Sequence, residues 1–117
     1  MFLLVRTFLC VLYLILFSLP SFAVTEHTEV LNRSEWPQYE NGTNILAVKP
    51  IAEIVDKFEE KQDVSVEIRY PGGDSGRQWA EMVSKWFVAF GIPIAYQELL
   101  PGSGSGNSLV IAIIDRS

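Results

Sequence analysis

Apolar residues fall along this chain in three rhythms, and each predicts a different element. Ile51, Ile54, Val55 and Phe58 recur at three- and four-residue spacing, with Glu53, Asp56, Lys57, Glu59, Glu60 and Lys61 between or after them. That is an amphipathic helix from Pro50 to about Lys61, with proline at the first turn, where its missing N–H costs nothing. Val64, Val66, Ile68 and Tyr70 then alternate with Ser65, Glu67 and Arg69, the period of two expected of a strand with one buried face. Trp79, Met82, Val83, Trp86 and Phe90, widened by Phe87, return to the helical period. This second helix begins at Asp74 or Ser75, either able to cap it, and stops at Gly91, the residue suited to a left-handed C-terminus.

Three short apolar runs complete the pattern. Ile45 to Val48 predicts a first strand, Ala95 to Leu100 a third and Leu109 to Ile114 a fourth, apolar on both faces as an interior strand would be. Eight residues, Pro101 to Ser108, separate the last two strands, too few for a crossover helix, so an antiparallel hairpin with a flexible Ser-Gly tip is expected. The predicted order is β-α-β-α-β-β. Two helices on one face of a mixed sheet make an α+β two-layer sandwich.

What precedes residue 45 has another character. Met1 to Ala23 reads as a secretory signal: Arg6, an apolar run from Thr7 to Leu19, Pro20, then Ser21-Phe22-Ala23 with small residues at the cleavage spacing. An uncleaved membrane anchor is the competing reading, because the run approaches the roughly 18–20 residues that span a bilayer. Cys10, the chain's one cysteine, lies too early for lipoprotein acylation, and cleavage after Ala23 leaves no cysteine at all. Residues 24–44 are polar, broken by Pro37 and Gly42, and read as a segment outside the domain at 45–117. In that segment the rings of Trp36 and Tyr39 are candidates either for docking on the core or for contact with a partner.

About 94 exported residues suffice for one modest core held without disulfides. The whole chain carries a net charge of −5 and loses one basic residue with the signal, and such a balance argues against nucleic-acid binding. His27 is the chain's one histidine and reads as a solvated side chain; no metal site and no cofactor site follow from the sequence.

Two loops can carry chemistry. Gly72-Gly73-Asp74-Ser75-Gly76 precedes a helix N-terminus, where free amides favour an anion, and Arg69 and Arg77 flank it. Gly73, Asp74, Ser75, Arg69 and Arg77 are therefore the candidate anion contacts, although a tight turn capped by Asp74 explains the same residues. Ser75, Ser103 and Ser105 have no candidate base nearby, and Gly102-Ser103-Gly104-Ser105-Gly106 lacks the strand–turn–helix context of a nucleophile elbow. No catalytic residue is assigned and the chain is expected not to be an enzyme.

The run VSVEIRYPGG, SGRQWAEMVSKWFVAFGIP and the strand after it resembles the β-α-β core of OmpA-like C-terminal domains. That resemblance covers about the last 70 residues and implies peptidoglycan binding in the periplasm. In that family a loop aspartate and an arginine early in the helix hold the diaminopimelate carboxylate of the peptide stem. Alignment on Gly91-Ile92-Pro93 and Ala80 puts Trp79 where the arginine belongs, while Asp74 stands near the aspartate. Arg77 lies about 200° round the helix from Trp79 and is no simple substitute.

The wording YPGGDSGRQWAEMVSKWFVAFGIP followed by LLPGSGSGNSLVI also resembles small exported proteins of integrating conjugative element clusters. This implies an accessory or structural part of a type IV secretion-like conjugation apparatus, acting in the periplasm through contact with other envelope proteins. Trp36, Tyr39 and Trp79 are then the candidate partner contacts. A degenerate OmpA-like peptidoglycan binder is the alternative, and a membrane enters only through an uncleaved signal. The bacterial context makes the acceptor patterns Asn32-Arg33-Ser34 and Asn41-Gly42-Thr43 coincidental.

Overall fold

The computed structural model describes residues 24–116; the signal assigned to residues 1–23 lies outside them. Four strands form one sheet in the order β1-β4-β2-β3: β1 (Val24–Asn32), β2 (Val64–Tyr70), β3 (Gln97–Pro101) and β4 (Ser108–Asp115). β4 is antiparallel to both β1 and β2, and β3 is parallel to β2. β1, β2 and β3 therefore all point the same way. The helices are α1 (Gly42–Leu46), α2 (Lys49–Glu60) and α3 (Asp74–Ala89).

One face of the sheet is dry. Leu31, Val64, Val66, Ile68, Leu109, Ile111 and Ile113 alternate inward and meet Ile51, Ile54 and Val55 of α2 and Ala80, Val83 and Phe87 of α3. Each fully buried aliphatic or aromatic side chain contributes about 1.5–3 kcal/mol, enough in sum to hold a small domain without cross-links. The opposite face carries Val30, Val110, Leu100, Ser65 and the ion pairs Arg69–Glu67 and Arg116–Glu98. The α+β sandwich with two long helices on one face is thus as predicted, and the order β-α-β-α-β-β holds for the strands and the two long helices, with the short α1 added before α2.

The first strand comes from different residues. Val24 to Asn32, expected as polar chain outside the domain, is an edge strand paired only with β4, with a register shift between Thr25 and His27. An edge strand buries little: Leu31 is its one buried residue. Its β-branched Val24, Thr25, Thr28 and Val30 favour extension without giving an apolar face. Ile45–Val48, expected as that strand, instead belongs to α1 and its junction with α2. The Asn41 side chain accepts the Asn44 N–H (2.8 Å) and starts the helix. Four apolar residues are too few for periodicity to separate the two conformations.

The hairpin is also absent. β3 and β4 lie on opposite sides of β2, so the Ser-Gly segment passes over the end of that strand instead of reversing beside it. At the far end of α3 the sequence reading holds. Gly91 (φ 100°) donates to Val88 and Ile92 to Phe87, closing the helix and turning Ile92 into the core.

Candidate functional site

Three parallel strands bring their carboxyl ends to one end of the sheet, and three connections gather there: residues 33–41, 71–73 and 102–107. They are tied together. The Arg33 N–H donates to the Asn107 carbonyl (2.8 Å), and the Gly102 and Ser103 N–H groups both donate to the Tyr70 carbonyl (2.9 and 3.2 Å). Within the last connection the Ser103 hydroxyl donates to the Ser105 carbonyl (2.8 Å). The loop expected as a flexible tip is anchored at both ends.

α3 opens at this place without a side-chain cap. Its N-cap is Gly73, held at φ 99°, and Asp74 is already the first helical residue, one position too late to cap. Ser75, the other residue expected to cap, is further in. The first-turn amides consequently have no side-chain acceptor, and such a helix end favours an anion.

Between the 33–40 connection and the first turns of α3 lies a pocket of about 280 Å³. Arg33, Trp36 and Glu40 line one side, and Ser75, Gln78 and Trp79 the other. The Arg33 guanidinium carbon sits 4.6 Å from the centre of the Trp79 ring, and Trp36 meets that ring edge-on at 6.4 Å. Trp36 donates its Nε1–H to Glu40 (3.2 Å). The Trp79 Nε1 is buried and has no hydrogen-bond partner, the one such side-chain group among the described residues.

The expected site residues do not all converge. Ser75 lines the pocket, and Gly73 and Asp74 stand at the helix end beside it. Arg69 points from the opposite face of the sheet and pairs with Glu67 (2.6 Å). Arg77 pairs with Glu81 (3.1 Å) along the exposed side of α3 and is not among the lining residues, as its angular offset from Trp79 requires. Of the expected partner contacts, Trp36 docks on the domain, Tyr39 is 74% exposed, and Trp79 is only 4% exposed. A partner contact at Trp79 would need an exposed ring; Arg33 and Trp36 lie against it instead. Trp86 and Phe90, half-buried and stacked on each other, and Met82, exposed, are the members of the predicted stripe that reach the surface. Gly76, Ala80 and Ser84 take their share of the buried face.

Two groupings were invisible in the sequence. Arg33, 46 positions before Trp79, registers there only as the middle of an acceptor pattern. His27 is not freely solvated: its ring nitrogen lies 3.1 Å from Glu29 on the helix side of β1, and Glu53 of α2 brings a carboxylate oxygen close to both. That separation of β1 from α2 by a turn and a short helix leaves no one-dimensional trace.

No family model matches the sequence, and no curated protein matches it. Solved structures do share its fold. The crystal structure of the periplasmic domain of Helicobacter pylori MotB (residues 78-256) is similar with a TM-score of 0.56 at 12% identity, over 86% of this chain and 86% of that one. A second crystal structure of that domain (residues 97-256) gives a TM-score of 0.52 at 14% identity, over 81% and 86%. Identities this low speak for architecture alone, and the architecture shared is an α+β fold with helices packed on a four-stranded mixed sheet.

Proposed function

We propose that this protein is a non-enzymatic, OmpA-like cell-wall binding module that works in the periplasm and takes a peptide stem of peptidoglycan at the open end of α3. The observation that carries the reading is the pocket between the 33–40 connection and α3. It lies where the OmpA-like resemblance expects a ligand, it is bounded by an uncapped helix N-terminus, and it has a guanidinium in its wall. The periplasmic setting is supported by the signal-like sequence of residues 1–23 and by the fold shared with a periplasmic domain. No helix among the described residues is long and apolar enough to cross a membrane.

Co-sedimentation of the purified protein with isolated sacculi tests this. Retention in the pellet, competed by soluble fragments of digested peptidoglycan, is expected; a protein left wholly in the supernatant overturns the reading.

A role inside a conjugative transfer apparatus is the second reading. What favours it, beside the sequence resemblance, is the sheet face that no described helix covers, where Val30 is 49% exposed next to half-buried Val110. An envelope protein docking there would leave the pocket free, so the two readings can hold together.

A further inference from the structure

Arg33 stands apart from the other arginines of the fold. Arg69, Arg77 and Arg116 each have a carboxylate within 3.4 Å, on Glu67, Glu81 and Glu98. Among the described residues no ion pair involves Arg33, whose guanidinium lies instead on the Trp79 ring with its backbone fixed to Asn107. Stacking of this kind holds the planar group in place while leaving its N–H edge available to an acceptor.

The pocket wall around that edge also presents donors. Across the pocket, α3 begins with amides that no side chain caps, and Ser75 and Gln78 of its first turns line the wall. Trp79, which also lines it, carries a buried N–H with no partner. The nearby carboxylate, Glu40, is engaged by Trp36. A guanidinium and an open helix terminus bordering one pocket suit an anion, and the guanidinium fork suits one with a planar, two-oxygen edge.

We propose that Arg33 is the carboxylate-binding residue of this pocket, receiving an acid group of a bound wall peptide beside the first turn of α3. This rests on the cell-wall reading and supplies what that reading lacks. The OmpA-like resemblance asks for an arginine on the helix, where this chain has Trp79. The charge comes from the connection after β1 and rests on that tryptophan.

The test uses the purified full chain, isolated sacculi, and a soluble disaccharide–tetrapeptide followed by tryptophan fluorescence, alongside the same peptide with its carboxylates amidated. The parent protein should bind sacculi and the free-acid peptide. Arg33→Ala should weaken both by about tenfold or more, the scale of a lost charge-assisted hydrogen bond. Arg33→Lys, which keeps the charge without the planar fork, should fall between. Arg33→Gln, which keeps a stem over Trp79, covers the case in which alanine disturbs the turn. The amidated peptide should bind the parent as weakly as the acid binds Arg33→Ala, and Lys85→Ala should change nothing. Sacculus binding that survives Arg33→Gln undiminished, or equal binding of acid and amide, overturns the role of Arg33 and leaves the cell-wall reading standing. A parent protein that binds neither sacculi nor peptide overturns both.

Discussion

The Pro71 carbonyl lies where a side-chain carbon on Gly76 would be, so α3 can start this close to the end of β2 only with glycine there. Gly76→Ala has to push backbone against backbone, and overpacking of that kind costs about 1–3 kcal/mol. Because the displaced segment is the helix end that borders the pocket, the same substitution should also weaken ligand binding. Thermal or urea unfolding checks the first effect and sacculus retention the second. A variant as stable as the parent would mean that Pro71 yields freely. Gln97 is a second single residue with a large role. Its amide donates to the Ile92 carbonyl (3.0 Å) and its oxygen accepts the buried Ser84 hydroxyl (2.6 Å), joining β3 to the body of α3 and to the turn that leaves it. Gln97→Ala leaves those partners unsatisfied, and a loss of about 1–3 kcal/mol is expected in equilibrium unfolding. Neither residue could be weighted from the sequence, because each matters through one contact made across the fold. Gly76 reads as part of a glycine-rich turn, and Gln97 as an ordinary polar residue of a strand.

Helices and strands differ in how much of themselves they declare. α2 and α3 bury a stripe of large residues, so their periodicity is strong, and the residues that stop α3 act locally through Gly91. β2 alternates because one face is wet. β1 gives no such signal, since only Leu31 is buried and the remaining eight residues face solvent or half-buried polar partners. Its place in the sheet is decided by β4, which has apolar residues on both faces and needs a neighbour on each side. The same dependence explains why a hairpin between β3 and β4 was the natural expectation and the wrong one. Sequence proximity favours that pair, but the interior strand gains more by sitting between β1 and β2. A chain lacking residues 24–32 should therefore be poorly folded, despite losing mostly polar sequence. It would expose the edge of β4, an open apolar edge of the kind that templates aggregation. Deletion followed by size-exclusion chromatography and circular dichroism decides this; a monomeric, cooperatively folding product would show that β1 is dispensable.

At the scale of the whole molecule, charge and sidedness pull in different directions. The chain carries a net charge of −5, yet the proposed ligand is a polymer rich in carboxylates, so approach is opposed over long range while the pocket attracts at contact. These terms have different reach. At about 10 mM salt the Debye length is about 30 Å and the whole negative surface is felt; at about 150 mM it is about 8 Å and mainly the pocket remains. Retention on sacculi should therefore rise between those two salt concentrations, the reverse of what a cationic wall-binding surface gives. Arg33→Ala should weaken the retention at both concentrations. Val30→Glu, on the face turned away from the helices, adds to the long-range repulsion alone. It should bind less at the lower salt and match the parent at the higher one. Binding that instead falls steadily with salt in the parent protein would mean that adhesion comes from diffuse attraction by exposed lysines and arginines. The pocket at the end of α3 would then have no special part in it.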